Sequence, residues 1–298
     1  MTRILVLWLL CLISNIGLPQ SFYDDLSLSD QKLYDEHIYK GQPDQAEIFV
    51  RQGYVMKYNF TYRIPEWVAY HVVPEYLKTP KREKKYKRFR KDNDIQNAVV
   101  NSDYTGSGYS RGHMAPYFAM GGDRDKNGIR ANLFDDSQDP YDDLTVFQAN
   151  YMSNIAPQDQ NALNGPGGPW YALETKIRVK LVPELKELHL VLGGIVSDSH
   201  NYPTLTNKKG KTDIAIPNQY YQVLIYFDDE KNEHVTAAFL FPHVKEKKDL
   251  PYDDLIKYLV PIDSVEMLTG LDFFPKLDDS EEDEIEQNDN KSFWIKWF

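Results

Sequence analysis

Cysteine is almost missing from this 298-residue chain: the only one, Cys11, falls within the first twenty positions. A chain with no further thiol has no disulfide and no thiolate-bound metal, so the fold must rest on its hydrophobic core. Close histidine pairs of the H-x-x-x-H kind are also missing among the seven histidines, which argues against a zinc hydrolase. There is no P-loop, no internal repeat and no apolar run long enough to favour a membrane span. Net positive charge is lacking too. At −11 overall, the chain is a poor first candidate for binding nucleic acid.

The distribution of that charge changes the reading. Between Lys78 and Lys91 nine Lys and Arg residues stand against the single acid Glu83, with Tyr86 and Phe89 interleaved. Such a run is either a solvated loop or a surface facing a polyanion. Asp278, Asp279, Glu281, Glu282, Asp283, Glu284, Glu286 and Asp289 crowd the C-terminus, so residues 277–298 are expected to form an acidic, mostly disordered tail.

At the other end, Arg3 precedes an apolar run from Ile4 to Ile13 and then small or turn-forming residues. This is the layout of a secretory signal peptide, expected to span residues 1–21, and it points to a secreted, extracellular protein without stable membrane association. In that setting Asn59-Phe60-Thr61 and Asn290-Lys291-Ser292 are glycosylation acceptors in form. Residues 22–276 are left as one catalytic-size domain.

Alternation from Tyr54 to Tyr62 and a second run from Trp67 to Val73 predict two neighbouring strands. Leu144–Met152, Leu188–Val196, Ile214–Ile216, Gln219–Phe227 and Val235–Phe241 also read as strands. Leu173, Ile177 and Leu181 recur at helical spacing within Trp170–Leu181, with Glu174 and Arg178 one turn apart. A short helix over Ser264–Thr269, capped by Asp263 or Ser264, should stop at Gly270.

Chemistry concentrates in Ser110-Arg111-Gly112-His113. Arg clamps phosphate through paired donors, Gly admits close backbone approach, and His exchanges protons near neutral pH. Downstream lie Ser153-Asn154-Ile155-Ala156-Pro157-Gln158, Leu163-Asn164 and Trp170-Tyr171-Ala172-Leu173-Glu174. These blocks, in this order, resemble the DNA/RNA non-specific endonuclease family. The likeness extends to Trp67-Val68-Ala69-Tyr70, Asp103-Tyr104-Thr105-Gly106 and Thr269-Gly270-Leu271, covering most of Tyr54 to Pro275.

The resemblance implies an α+β fold: a mixed, largely antiparallel sheet core with flanking helices and a ββα-metal motif. It implies His113 as general base, Asn164 as the direct ligand of one Mg²⁺ (Mn²⁺ as substitute), and Glu174 as the holder of the metal's water shell. Arg111 and Arg178 are then expected to neutralise the phosphate, Asn154 to brace the nucleic-acid site, and Lys87 to replace a family Arg. Asn161 stays a rival ligand, because Gly165-Pro166-Gly167-Gly168-Pro169 lengthens the gap to Trp170, and Arg88 and Arg90 compete with Lys87. Ser110 stands where the family has Asp. The expected protein is a secreted Mg²⁺-dependent endonuclease acting on DNA, RNA or both, with a homodimer left open. The alternative is a binding homologue of the same fold with impaired catalysis.

Overall fold

The computed structural model describes residues 22–134, 139–244 and 254–298. The expected leader, residues 1–21, lies outside them. Its frame is a seven-stranded sheet in the order β1-β2-β3-β6-β9-β10-β11. The strands are β1 (Phe49–Val50), β2 (Val55–Asn59), β3 (Ile64–Val72), β6 (Leu188–Ile195), β9 (Gln219–Asp228), β10 (Glu233–Pro242) and β11 (Leu259–Val260). Every neighbouring pair runs antiparallel. Two small hairpin-like pairs stand apart: β4 (Ser110–His113) with β5 (Ile155–Gln158), and β7 (Thr204–Asn207) with β8 (Gly210–Ala215).

The sheet is buried on both faces, which explains why its central strands read as nearly continuous apolar runs. On β3, Val68, Tyr70 and Val72 point to one core, while Trp67 and Ala69 point to the other. The first core also takes in Met114, Ile155, Leu163, Trp170 and Leu173, so β4, β5 and the helix after them pack on that face. The second core holds Tyr34 of α1 (Leu28–His37) and the apolar side of a C-terminal helix. The catalytic motif of the sequence therefore sits on one side of the sheet only.

Three expectations are corrected. Residues Leu144–Met152, read as a strand, lie largely in α2 (Pro140–Ala149). The cap decides it: the Asp139 carboxylate accepts from the amides of Tyr141 and Asp142 at 2.9 and 3.0 Å, with Pro140 at the first helical position. The Trp170 segment does form a helix, α3 (Pro169–Lys176), but it continues through a π-helical turn (Ile177–Leu181) into α4 (Val182–Leu185). Helix α5 (Ile262–Thr269) begins earlier than expected, with Pro261 rather than Asp263 or Ser264 at its cap, and it stops at left-handed Gly270 as the sequence predicts.

The third correction concerns the acidic C-terminus, which is folded. Asp279–Gln287 form α6 and Lys291–Trp294 form α7. Ile285 joins the second core and Trp294 the first, so the segment wraps over the sheet's edge. Trp294 Nε1 donates to the Thr236 carbonyl at 2.6 Å, and His234 pairs with Glu281 at 2.5 Å. The composition suggested disorder because acids dominate it, yet Ile285, Phe293, Trp294 and Trp297 supply the apolar area that ordering requires. Among the described residues no helix is long and apolar enough to cross a membrane.

Trp294 is 0% exposed. Trp294→Ala is expected to lower unfolding free energy by about 3–5 kcal/mol in urea titrations. A loss below about 1 kcal/mol would mean that the C-terminal segment is not part of the core.

Candidate active site

The site begins with a two-stranded register. Ser110 faces Gln158, Arg111 faces Pro157, Gly112 faces Ala156 and His113 faces Ile155. Beyond the strands, the amide of Asn154 closes the unit. Its Oδ1 accepts from Ala115 N at 2.8 Å, while Nδ2 donates to Ala115 O at 2.8 Å and Ala149 O at 2.9 Å. Asn154 is fully buried and spends its polar atoms on the backbone, so it is a structural clamp between β4 and α2. It does not line the cleft, so it braces the site from behind and offers no atom to nucleic acid. Ser153 beside it donates to buried Asp92 at 2.5 Å, and Arg51 pairs with the same carboxylate at 2.8 Å.

Gly112 is needed for packing. A Cβ there would lie 2.1 Å from Gln158 Oε1. That oxygen accepts from Asn164 Nδ2 at 2.7 Å, so the glycine makes room for the residue that orients Asn164. The amide of Asn164 is thereby fixed with its Oδ1 as the remaining acceptor. The glycine-rich loop before α3 is equally tight, since a Cβ on Gly168 would fall 2.0 Å from the Leu163 carbonyl.

The resulting cleft, of about 620 Å³, is lined by His113, Arg111, Ser110, Asn164, Glu174 and Arg178, and also by Arg82, Phe89, Tyr117, Gln158 and Trp170. A wider hollow of about 970 Å³ beside Tyr58, Arg63 and Asp213 holds no histidine, so size alone does not mark the reactive site. Asn161 is exposed and outside the cleft lining, whereas Asn164 is inside it. Lys87 is also exposed and outside the lining. From the basic run it is Arg82 that reaches the cleft, with its guanidinium 4.4 Å from the Phe89 ring centre. Nothing in the sequence separates Arg82 from its eight basic neighbours; the chain's path does.

His113 is partly buried, with Nε2 3.2 Å from Asn150 Oδ1. Asn150 donates through Nδ2 to the Tyr86 carbonyl at 3.0 Å, which leaves its Oδ1 as an acceptor toward the ring. Nε2 must then carry the proton, and Nδ1 keeps a free lone pair. Burial pushes the imidazole down to about 3, with Arg82 adding to the effect and the Asn150 bond opposing it. The ring is neutral at physiological pH, as a base must be before it acts. Asn150 was invisible to motif reading because it lies 37 positions from the histidine it orients.

Glu174 presents its carboxylate one helical turn after Trp170, whose Nε1 donates to Oε1 at 3.0 Å. Burial raises this carboxyl to about 7, against the Trp170 bond and the Arg178 charge. Arg111 donates to the Asn101 carbonyl at 2.7 Å and lies 5.5 Å from the Phe89 ring centre. Ser110 Oγ donates to Gln160 Oε1. Gly108-Tyr109-Ser110-Arg111-Gly112 has the letters of a serine-hydrolase elbow, but Ser110 is on a strand and bonds Gln160 rather than His113. It is not arranged as a nucleophile.

Asn164 Oδ1 and the Glu174 carboxylate give the cleft a hard, all-oxygen donor set beside a neutral imidazole. That set fits a small divalent cation that keeps most of its waters.

The family model for DNA/RNA non-specific endonuclease matches residues 35–280. Nuclease C1 of Cunninghamella echinulata var. echinulata is 28% identical over 245 residues, 80% of this chain and 87% of that protein. Mitochondrial nuclease EXOG of Mus musculus is 27% identical over 237 residues, and the match spans 76% of this chain but 57% of that protein. The crystal structure titled as the EndoG/EndoGI complex shares the fold, with a TM-score of 0.64 at 22% identity over 86% of this chain and 95% of that one. With the β4-β5-α3 unit presenting His113, Asn164 and Glu174 to one cleft, the chain belongs to the DNA/RNA non-specific endonuclease family and is a metal-dependent endonuclease.

Proposed function

We propose that the protein is a secreted, Mg²⁺-dependent endonuclease that hydrolyses phosphodiester bonds of DNA, RNA or both with little sequence preference. The observation that carries this reading is the neutral, Nδ1-free imidazole of His113 in the same cleft as Asn164 and Glu174. His113 Nδ1 takes a proton from a water as its oxygen attacks phosphorus, and the bond from phosphorus to the departing 3′-oxygen breaks. Asn150 holds the ring in the required tautomer and shares the Nε2 proton as the imidazolium forms. Arg111, Arg82 and Arg178 surround the phosphate with positive charge. Asn164 would bind Mg²⁺ directly and Glu174 would hold its waters, the ion supplying charge stabilisation at the phosphate and the leaving oxygen.

What lines the cleft supports a lack of sequence preference. Its cations and the rings of Phe89 and Tyr117 suit phosphate and a stacked base of any identity. Binding should weaken steeply with salt, despite the acidic balance of the whole chain. Secretion is supported by the leader layout, with its single Arg3, rather than by the relatives named mitochondrial. Ser110 supports one second reading, a homologue with impaired catalysis. It places a hydroxyl engaged with Gln160 where the family motif has a carboxylate.

His113→Ala is expected to lower kcat on plasmid DNA by about 10²–10⁴-fold with Mg²⁺ affinity little changed. Asn164→Ala should instead raise the Mg²⁺ concentration for half-maximal cleavage by about tenfold or more. Undiminished cleavage by His113→Ala would overturn the mechanism, and binding without cleavage by the wild type under any divalent cation would establish the second reading.

The pH dependence separates the two groups. Burial holds Glu174 up at about 7, so protons compete with Mg²⁺ below that pH; His113, neutral down to about 3, gives no acid limb there. Apparent Mg²⁺ affinity should fall about tenfold for each pH unit below 7 and level off above it. Raising Mg²⁺ should then move the acid limb of the rate profile to lower pH. A limb near pH 6.5 that ignores Mg²⁺ would assign it to a histidine instead.

A further inference from the structure

Outside the cleft, the chain carries a second group of oxygen ligands. Asp123, Asp125 and Asn127 alternate along the loop after β4 and are followed by Gly128, which adopts φ +87°. Three side-chain oxygens at alternate positions and a sharply turning glycine make up the first half of a calcium-binding loop. Such a loop ends on a bidentate acid at its twelfth position, which here is Phe134. The missing carboxylate comes from elsewhere. Asp139 caps α2, Asp142 lies in its first turn, and one oxygen from each of Asp123, Asp125 and Asp142 lies within 4.8 Å of the others.

Asp142 is the observation that turns an acidic loop into a site. Its side chain is only 2% exposed. Oδ1 accepts from Arg124 N at 3.1 Å, but Oδ2 is buried with no hydrogen-bond partner among the described residues. A buried carboxylate oxygen left without a partner costs several kcal/mol as a rule, so something must meet it. The nearby guanidinium of Arg124 does not. It donates to the Ala119 and Gly121 carbonyls at 2.7 and 3.3 Å and lies over the Tyr76 ring at 3.8 Å. Asn127 Nδ2 reaches the carboxylates of Asp125 and Asp139 at 3.0 Å each, which gathers their oxygens around the same point.

We propose that Asp123, Asp125, Asp139 and Asp142 bind one Ca²⁺, with Asn127, whose Oδ1 accepts from Ile129 N, holding the carboxylates together from beside it, and that this ion fixes α2 and so the centre at its far end. Several carboxylates gathered around one point match a cation that takes six to eight oxygens, better than Mg²⁺, which keeps its own waters. The route to the cleft is short and continuous. Asp142 opens α2, and immediately after its last residue Asn150 orients His113, while Asp143 of the same first turn accepts from Lys85 at 2.6 Å and from the Tyr86 hydroxyl. Tyr86 in turn provides the carbonyl that sets the Asn150 amide. Calcium at the start of the helix therefore stabilises the helix that supplies the tautomer-setting residue.

The test is Ca²⁺ titration calorimetry on the full mature chain, with thermal unfolding alongside. Wild type is expected to bind one Ca²⁺ with Kd on the order of 10⁻⁷–10⁻⁵ M and to gain thermal stability. The cleft variant Asn164→Ala should bind equally well. Asp142→Asn should abolish binding, and Asp125→Asn, at an exposed position that cannot upset the core, should weaken it by about tenfold or more. No uptake up to about 1 mM Ca²⁺, a Kd unchanged in Asp125→Asn, or loss of binding in Asn164→Ala would each overturn the proposal.

Discussion

The active centre depends on one buried amide. Asn154 makes three hydrogen bonds to backbone, two to Ala115 just beyond β4 and one to Ala149 at the last turn of α2. These bonds tie the strand that carries His113 to the helix that ends just before Asn150. Because the amide is sealed from water, its bonds are not exchangeable for solvent ones, and any partial satisfaction would be costly. The clamp sets where His113 and Asn150 meet, and the Tyr86 carbonyl, by turning the Asn150 amide, sets which ring nitrogen holds the proton. Gly112 and Gln158 do the same for the other half of the site, since the space left by a missing Cβ is occupied by the side chain that turns Asn164.

How much of this could be read from the sequence follows from how local each cause is. The central strands and the helix from Trp170 were legible because their apolar spacing is a local property. The motif blocks were legible as a set, and the cleft gathers Arg111, His113, Asn164, Glu174 and Arg178. Where reading failed, the cause was competition or distance. Leu144–Met152 has the composition of a strand, but Asp139 and Pro140 begin a helix that overrides it. The C-terminal acids suggest disorder, while the buried rings of Trp294 and Trp297, with Trp294 bonded to the Thr236 carbonyl, hold the end of the chain to β10. Asn150 and Arg82 were not singled out because what places them is the packing of distant segments against the hairpin.

The chain also shows how an acidic protein presents a polyanion site. Arg82, Arg111 and Arg178 converge on one cleft, whereas Asp278–Asp289 pack at an edge of the sheet where Glu281 meets His234. Local potential within about a Debye length, rather than net charge, governs how phosphate meets this surface. Ser110 fits the same picture. Its hydroxyl is engaged by Gln160, this position offers no carboxylate beside the guanidinium, and among the described residues no acid pairs with Arg111, which donates to the Asn101 carbonyl.

In the proposed function Asn164 is the point where the metal meets the protein, and His113 in the same cleft binds none. Anomalous diffraction from crystals soaked in Mn²⁺ measures that position. The expected result is a peak at about 2.0–2.2 Å from Asn164 Oδ1, with Glu174 reaching it through water. A peak bound to His113 Nδ1, or none at Asn164 while other sites fill, would contradict it.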